Sequence, residues 1–229
     1  MVLRVIDVET TGDNAETDHI VEIASADLSR NLNLQNEMNE LVKPPVPIPP
    51  EASAIHHIID DDVADARPLA EVLPLFAGAD AYVAHNCRFE QDFLLRHGVI
   101  SDDAPWVCTY KCAVKVWPDW PTHKLQDIRY RLPHLIAPFG RAREDIAPHR
   151  AASDVLVCAA LFVELLSHAT WKELVQWTYE PTIFTKFAFG KHRGERYDSV
   201  PLDYLHWILG KDFDADVKAS AQYWISQRA

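Results

Sequence analysis

The chain opens on an apolar, β-branched-rich run, Val2 to Val8, that ends at Thr10-Thr11-Gly12. Alternation followed by a glycine predicts a strand running into a turn. Ile20 to Leu28 predicts a second strand, and Asn39 to Val42 the end of a third. Lys43 to Pro50 carries prolines at 44, 45, 47, 49 and 50. Proline lacks an amide donor and fixes φ, so this stretch is expected to be an extended surface connection. Pro68 to Phe76 has a helical pattern, Ala81 to Ala84 reads as a short strand, and Phe89 to His97 as a helix stopped by Gly98. Trp106 to Tyr110 predicts another strand and Lys124 to Leu132 another helix. The longest apolar helix pattern is Ala151 to His168, with a core stripe of Val155, Leu156, Ala159, Leu161, Phe162, Leu165 and Leu166. Thr170 to Tyr179 predicts one more short helix, and beyond Pro181 the chain turns aromatic and basic.

Three early strands followed by alternating helices and strands predict an α/β fold, a mixed central sheet flanked by helices. At 229 residues and 48% hydrophobic, the chain suffices for one sizeable domain with a small appendage. The boundary is expected between residues 168 and 182. The working division is 1–170 for the main domain and 171–229 for a helical and basic C-terminal extension.

No apolar run approaches membrane-span length, and the N-terminal run is too brief for a signal peptide, so no membrane partner is expected. Four cysteines (Cys87, Cys108, Cys112, Cys158) lie in apolar stretches and read as reduced thiols of a cytoplasmic protein. Cys108 and Cys112 with His123 lack the second cysteine pair of a zinc site and read as buried thiols. The formal net charge of −12 argues against a protein that coats a nucleic-acid duplex with a basic face. It leaves room for an enzyme that grips a few nucleotides locally, particularly where acids hold metal ions.

Three stretches concentrate chemistry. In Asp7-Val8-Glu9-Thr10-Thr11-Gly12, residues two apart on a strand project to one side, so Asp7 and Glu9 face together while Ile6 and Val8 pack. Such a pair repels unless a proton or a cation sits between its carboxylates. All-oxygen sites of this kind suit Mg²⁺ or Mn²⁺. Taken alone, the motif also describes two solvated acids. In His85-Asn86-Cys87-Arg88-Phe89-Glu90-Gln91-Asp92, a strand leads into a helix, and Glu90 can face the strand's C-terminal edge. Asp92 lies about 200° around the helix from Glu90, so both acids cannot serve one cluster. In His149-Arg150-Ala151-Ala152-Ser153-Asp154, His149 and Asp154 converge only if His149 sits on the loop before the helix, which Pro148 favours. An imidazole so placed suits a general base.

Together, in this order and spacing, the three stretches resemble the DEDDh exonuclease family of the RNase H-like fold. The family pattern is Asp-x-Glu with a following Thr-Gly, then His-Asn-x-x-Phe-Asp, then His-x4-Asp. This chain departs from it once, with Glu90 where Asp is usual. The resemblance covers about residues 1 to 168. Pro49 to Ile58 resembles a family segment near the bound 3′ end, and Phe187 to Glu195 resembles the tail of the exonuclease X subgroup.

The resemblance implies a 3′→5′ exonuclease that releases nucleoside 5′-monophosphates from single-stranded DNA or 3′ overhangs, with RNA as an alternative substrate. It implies two Mg²⁺ or Mn²⁺ ions, with Asp7, Glu9 and Asp154 on the first and Asp7 with Glu90 placing the second. His149 would be the general base. Expected substrate contacts are Thr10, Thr11, Gly12, Ile55, His56, His85, Asn86 and Phe89, with Phe89 more a core residue than a stacking platform. Lys191 and Arg193 stand in the densest basic stretch and are candidates for a backbone grip, with Gly190 and Gly194 allowing a tight turn. The rival reading is a binding module of the same fold weakened in catalysis at Glu90. Many relatives are dimers, so a homodimer is a further candidate assembly.

Overall fold

The computed structural model describes residues 2–98, 100, 103–141 and 146–228. A six-stranded mixed sheet forms the centre: β1 (Leu3–Thr10), β2 (Ile20–Leu28), β3 (Leu34–Lys43), β4 (Arg67–Pro68), β5 (Ala81–Ala84) and β6 (Trp106–Cys108), in the order β4-β3-β2-β1-β5-β6. β1 to β3 pair as an antiparallel meander, while β5 joins β1 and β6 joins β5 in parallel. Parallel neighbours need crossovers, and helices supply them.

Alternation along β1 builds two cores. Leu3 and Val5 face a layer that includes α4 (Thr109–Val116), α5 (Leu125–Arg131), α6 (Ala151–Leu165) and α7 (Trp171–Tyr179). Ile6 and Val8 face Val72 of α2 (Leu69–Val72) and Phe93 and Leu94 of α3 (Arg88–Leu95). Asp7 and Glu9 continue the Leu3–Val5 face, so β1 aims its two acids toward α6. Val155, Leu156, Ala159, Leu161, Phe162 and Leu165 are buried, as the helical stripe predicts, although α6 stops at Leu165.

Two helices lie where other structure was expected. α1 (Pro50–His56) begins inside the proline run, with Pro50 in the first helical turn. A proline there loses no intrahelical hydrogen bond. Tyr110 belongs to α4, not to a strand, because β6 ends at Cys108. The aromatic and β-branched run from Trp106 mimics a longer strand, but the chain leaves the sheet at Thr109.

α7 packs against β6 and α4, and Leu174 joins the main core. A separate apolar cluster follows, with Phe187, Tyr197, Val200, Leu205, Ile208 and Ala221 at its centre. It is built on a hairpin bridged at Lys186 and Arg196, then α8 (Leu202–Leu209) and α9 (Ala215–Ser226). α7 therefore belongs with the main core, and the second apolar cluster begins at Phe184. All four cysteines are free and buried. Among the described residues no helix is long and apolar enough to cross a membrane.

Candidate active site

Asp7, Glu9 and Asp154 each place a carboxylate oxygen within 4.8 Å of the others. The first two come from adjacent same-face positions of β1, the third from the first turn of α6. Burial raises the pKa of Asp7 well above the carboxylate range, and repulsion from Asp154, Glu90, Glu9 and Glu22 adds to it. Glu9 is pushed up to about 8 by burial, then by the charges of Asp154 and Glu22. Asp154 also rises through burial, opposed by its hydrogen bond from Gln126 and by His149.

Glu90 sits in the first turn of α3 and is 3% exposed. It stands close enough to Asp7 to raise that group's pKa, but outside the tight triad. Its Oε2 is buried without a hydrogen-bond partner among the described residues, a state that costs on the order of 1–3 kcal/mol, and burial raises its pKa well above the ordinary carboxylate value. Asp92, two residues on, pairs with Arg88 at the surface, as helical geometry requires.

His149 lies on the loop before α6, exposed, with its backbone in the left-handed region at φ 56°. Its amide donates to Asp154 Oδ2 at 3.1 Å. Gln126 Nε2 donates to the other oxygen, Oδ1, at 2.6 Å. Gln126 is held in turn by Arg129, whose Nη1 donates to Gln126 Oε1 and to the Ile146 carbonyl. Both oxygens of Asp154 are therefore oriented before any ligand arrives.

His85 is fixed by the protein on both ring nitrogens. Nδ1 meets Thr109 Oγ1 and Nε2 meets the His123 carbonyl, each at 2.9 Å. Burial pushes its pKa down to about 4, so it is neutral at physiological pH. Asn86 is exposed in the left-handed region at φ 67°. Phe89 is half-buried and packs on Phe93 with ring centroids 4.9 Å apart.

Thr10, Thr11 and Gly12 form the turn that leaves β1. Thr10 Oγ1 donates to the Gly12 carbonyl, and Thr11 Oγ1 accepts from the His19 amide. A Cβ at Gly12 would meet the Asp18 carboxylate at 2.6–2.9 Å, so a larger residue there would force Asp18 to shift. Ile55 is 52% exposed, whereas His56 is 2% exposed. His56 Nδ1 accepts from the Ile58 amide, and burial lowers its pKa against the pull of the Thr10 backbone. The segment therefore lies beside the end of β1, with Ile55 outward and His56 inward.

In the tail, Lys191 and Arg193 are exposed, and Lys191 Nζ lies 5.0 Å from the Tyr204 ring centroid. Gly190 and Gly194 both have positive φ, at 66° and 85°. Lys186 and Arg196 are engaged elsewhere, the first on the Asp119 carbonyl and the second on Asp119 and Asp198.

Glu22, Arg150, Gln126 and Thr109 surround the site without standing out in the sequence. Glu22 has one visible signal, a charge among the apolar residues Ile20, Val21, Ile23 and Ala24 of β2; the others join the site only through tertiary contacts.

The donor set is all oxygen, carries several negative charges at short range and includes an orphaned carboxylate oxygen. It fits a hard divalent cation. The RNase T exonuclease family model matches residues 5–162. Exodeoxyribonuclease 10 of Escherichia coli (strain K12) is 34% identical over 213 residues, covering 91% of this chain and 90% of that protein. The DNA polymerase III subunit epsilon of Treponema pallidum (strain Nichols) is 33% identical over 169 residues, 71% of this chain and 75% of that protein. Among solved structures, exonuclease X in complex with 5′ overhanging duplex DNA matches at a TM-score of 0.62 and 32% identity, over 77% of this chain and 99% of that one. Exonucleases of this kind generally use divalent metal ions. With its fold, its acidic cluster and these relatives in agreement, the chain belongs to the DnaQ-like 3′→5′ exonuclease family, hydrolases of phosphodiester bonds.

Proposed function

We propose that this exonuclease removes nucleoside 5′-monophosphates from the 3′ end of single-stranded DNA or of a 3′ overhang, using two Mg²⁺ or Mn²⁺ ions. The observation that carries the proposal is the convergence of Asp7, Glu9 and Asp154 within 4.8 Å, with the unpartnered Glu90 oxygen beside them. DNA is favoured by the name of the Escherichia coli relative and by the duplex DNA held in the exonuclease X complex. A recessed 3′ end opposite a 5′ overhang therefore belongs among the substrates to be tried.

Asp7, Glu9 and Asp154 would hold one ion, and Asp7 with Glu90 would place the other. Bound there, the ions would supply Lewis acidity at the scissile phosphate and lower the pKa of water held against it. His149 takes the proton of the attacking water, its exposed loop position leaving the ring accessible to solvent and substrate. Gln126 and the His149 amide keep the Asp154 carboxylate from rotating as the phosphate enters. His85, neutral and tied to Thr109 and His123, holds the strand end that carries Asn86 toward the site. Thr10 to Gly12 and Ile55 would border the terminal nucleotide, and Lys191 with Arg193 would grip phosphates further along the strand. The four free buried thiols suit a reducing compartment, and a cytoplasmic location belongs to the same reading.

Chromatography of the products tests the chemistry. Nucleoside 5′-monophosphates that appear only with added metal, and disappear in Asp154→Asn, are the expected result. Nucleoside 3′-monophosphates, or release that persists in EDTA, would refute it.

A further inference from the structure

A fifth carboxylate shares the face of the sheet with the acidic cluster but is tied to other partners. Glu22 lies directly opposite Glu9 in the β1/β2 register and is 0% exposed. Its two oxygens take four donors. Arg150 contributes Nε at 3.0 Å and Nη2 at 2.8 Å, the Ala151 amide lies at 3.0 Å, and Asn39 Nδ2 at 3.1 Å. Burial works against ionisation of Glu22, but the hydrogen bonds from Arg150 and Ala151 outweigh it and hold its pKa below the ordinary carboxylate value. With both oxygens committed, Glu22 has no free lone-pair direction to offer a cation of the cluster.

The other end of this pair matters more. Arg150 is the residue between His149 and α6, with extended backbone at φ −129°, ψ 122°. Its carbonyl accepts from the amides of Ser153 at 2.9 Å and Asp154 at 3.0 Å. The residue before it, His149, is left-handed, a conformation that costs a non-glycine residue about 1–2 kcal/mol and persists only when its surroundings impose it. Two contacts impose it here: the His149 amide on Asp154, and the forked grip of Glu22 on Arg150 and Ala151. The turn that carries the imidazole is thus tied to the strand beside the one that carries Asp7 and Glu9.

We propose that Glu22 and Arg150 form a positioning pair that pins the His149–Ala151 turn onto β2 and so fixes the distance between His149, Asp154 and the β1 acids. The proposal rests on His149 and Asp154 being catalytic groups. Arg150 acts through its neighbours, and its guanidinium is committed to Glu22 rather than to substrate.

The test compares Arg150→Met, Arg150→Lys, Glu22→Gln and the Glu22→Gln/Arg150→Met double variant in the full chain. Turnover on single-stranded DNA is measured beside hydrogen exchange of the segment around His149 in metal-free protein. Loss of an oriented outer partner typically costs 10–100-fold in activity, so kcat is expected to fall on the order of 10–100-fold in Arg150→Met and in Glu22→Gln. KM should stay within about twofold, because the groups that meet the strand are untouched. Exchange in the metal-free turn should speed up by about tenfold or more, reporting looser closure independently of catalysis. The double variant should be no worse than the worse single, since both remove one unit. Arg150→Lys should recover part of the loss, because an ammonium restores the charge without the fork.

Unchanged kcat together with unchanged exchange would overturn the proposal. So would a raised KM at retained kcat, which would make Arg150 a phosphate contact. If Arg150→Met does not fold, Glu22→Gln and Arg150→Lys carry the same comparison. His149→Ala and Asp154→Asn serve as controls. If they keep full turnover, the underlying reading of the site is wrong; if only they lose it, the positioning pair alone is wrong.

Discussion

Replacing Asp7 by Asn should make the metal-free protein more stable while abolishing its activity. Asp7, Glu9 and Asp154 crowd carboxylate oxygens within 4.8 Å, and Glu90 adds its charge to Asp7. At an effective dielectric of about 20, one such pair of charges repels by about 3 kcal/mol. The protein relieves part of this by retaining protons. Glu9 held at about 8 instead of 4.5 corresponds to at most about 5 kcal/mol once the solution is more alkaline than both values. A carboxylate whose pKa is raised by folding binds its proton more tightly in the folded state than in the unfolded chain. The cluster therefore disfavours folding least below about pH 4.5, and its destabilising effect grows as pH climbs through about 8.

Asn keeps the shape and removes one charge, so the gain at pH 8 in EDTA should be about 2–4 kcal/mol, a Tm rise of about 5–10 °C for a chain of this size. At pH 5, where Glu9 keeps its proton, the gain should be smaller. Adding Mg²⁺ should close much of this gap, because a cation bound only by the folded wild type adds about 2.7 kcal/mol at a hundred times its Kd. Thermal melts at both pH values, with and without metal, provide the assay. A metal-free Asp7→Asn protein that melts below wild type at pH 8, or gains equally at pH 5 and pH 8, would refute the reasoning.

Glu90→Asp should keep or raise kcat, whereas Glu90→Ala should lower it by about 10–100-fold; wild-type turnover in the alanine variant would remove Glu90 from the site. His149→Ala should reduce kcat by about 10²–10⁴-fold with little change in KM, the range for losing a general base. Reversing Lys191 and Arg193 to Glu should raise the KM for DNA and make it less sensitive to salt, since two cations would no longer displace counterions from the phosphates. An unchanged KM would show that the tail does not grip the strand.

Local pattern suggests candidates for the site, and the family resemblance joins them. Asp7 and Glu9 follow from strand alternation, and Asp154 from its place at the start of the most apolar helix. The loop position of His149 follows from the angle it would otherwise make with Asp154. What escapes the sequence depends on distance along the chain. Glu22 and Arg150 are 128 residues apart, and their pairing is set by how α6 crosses β2. The partners of His85, Thr109 and His123, come from segments 24 and 38 residues downstream. α4 is hidden because Trp106 to Tyr110 has strand-forming composition through the point where the chain leaves the sheet. α1 is hidden because a proline run masks a helix that starts with proline at its first position. His56 reads as a contact for the terminal base, and its burial at 2% exposed with Nδ1 accepting from the Ile58 amide depends on tertiary packing that the sequence does not show.

The most direct test of the central claim is digestion of 5′-labelled single-stranded DNA with Mg²⁺ or Mn²⁺, run beside Asp7→Ala and EDTA controls. A ladder that shortens one nucleotide at a time from the 3′ end, absent from both controls, is the result predicted. A label released at once as a mononucleotide, or a ladder that survives in Asp7→Ala, would contradict it.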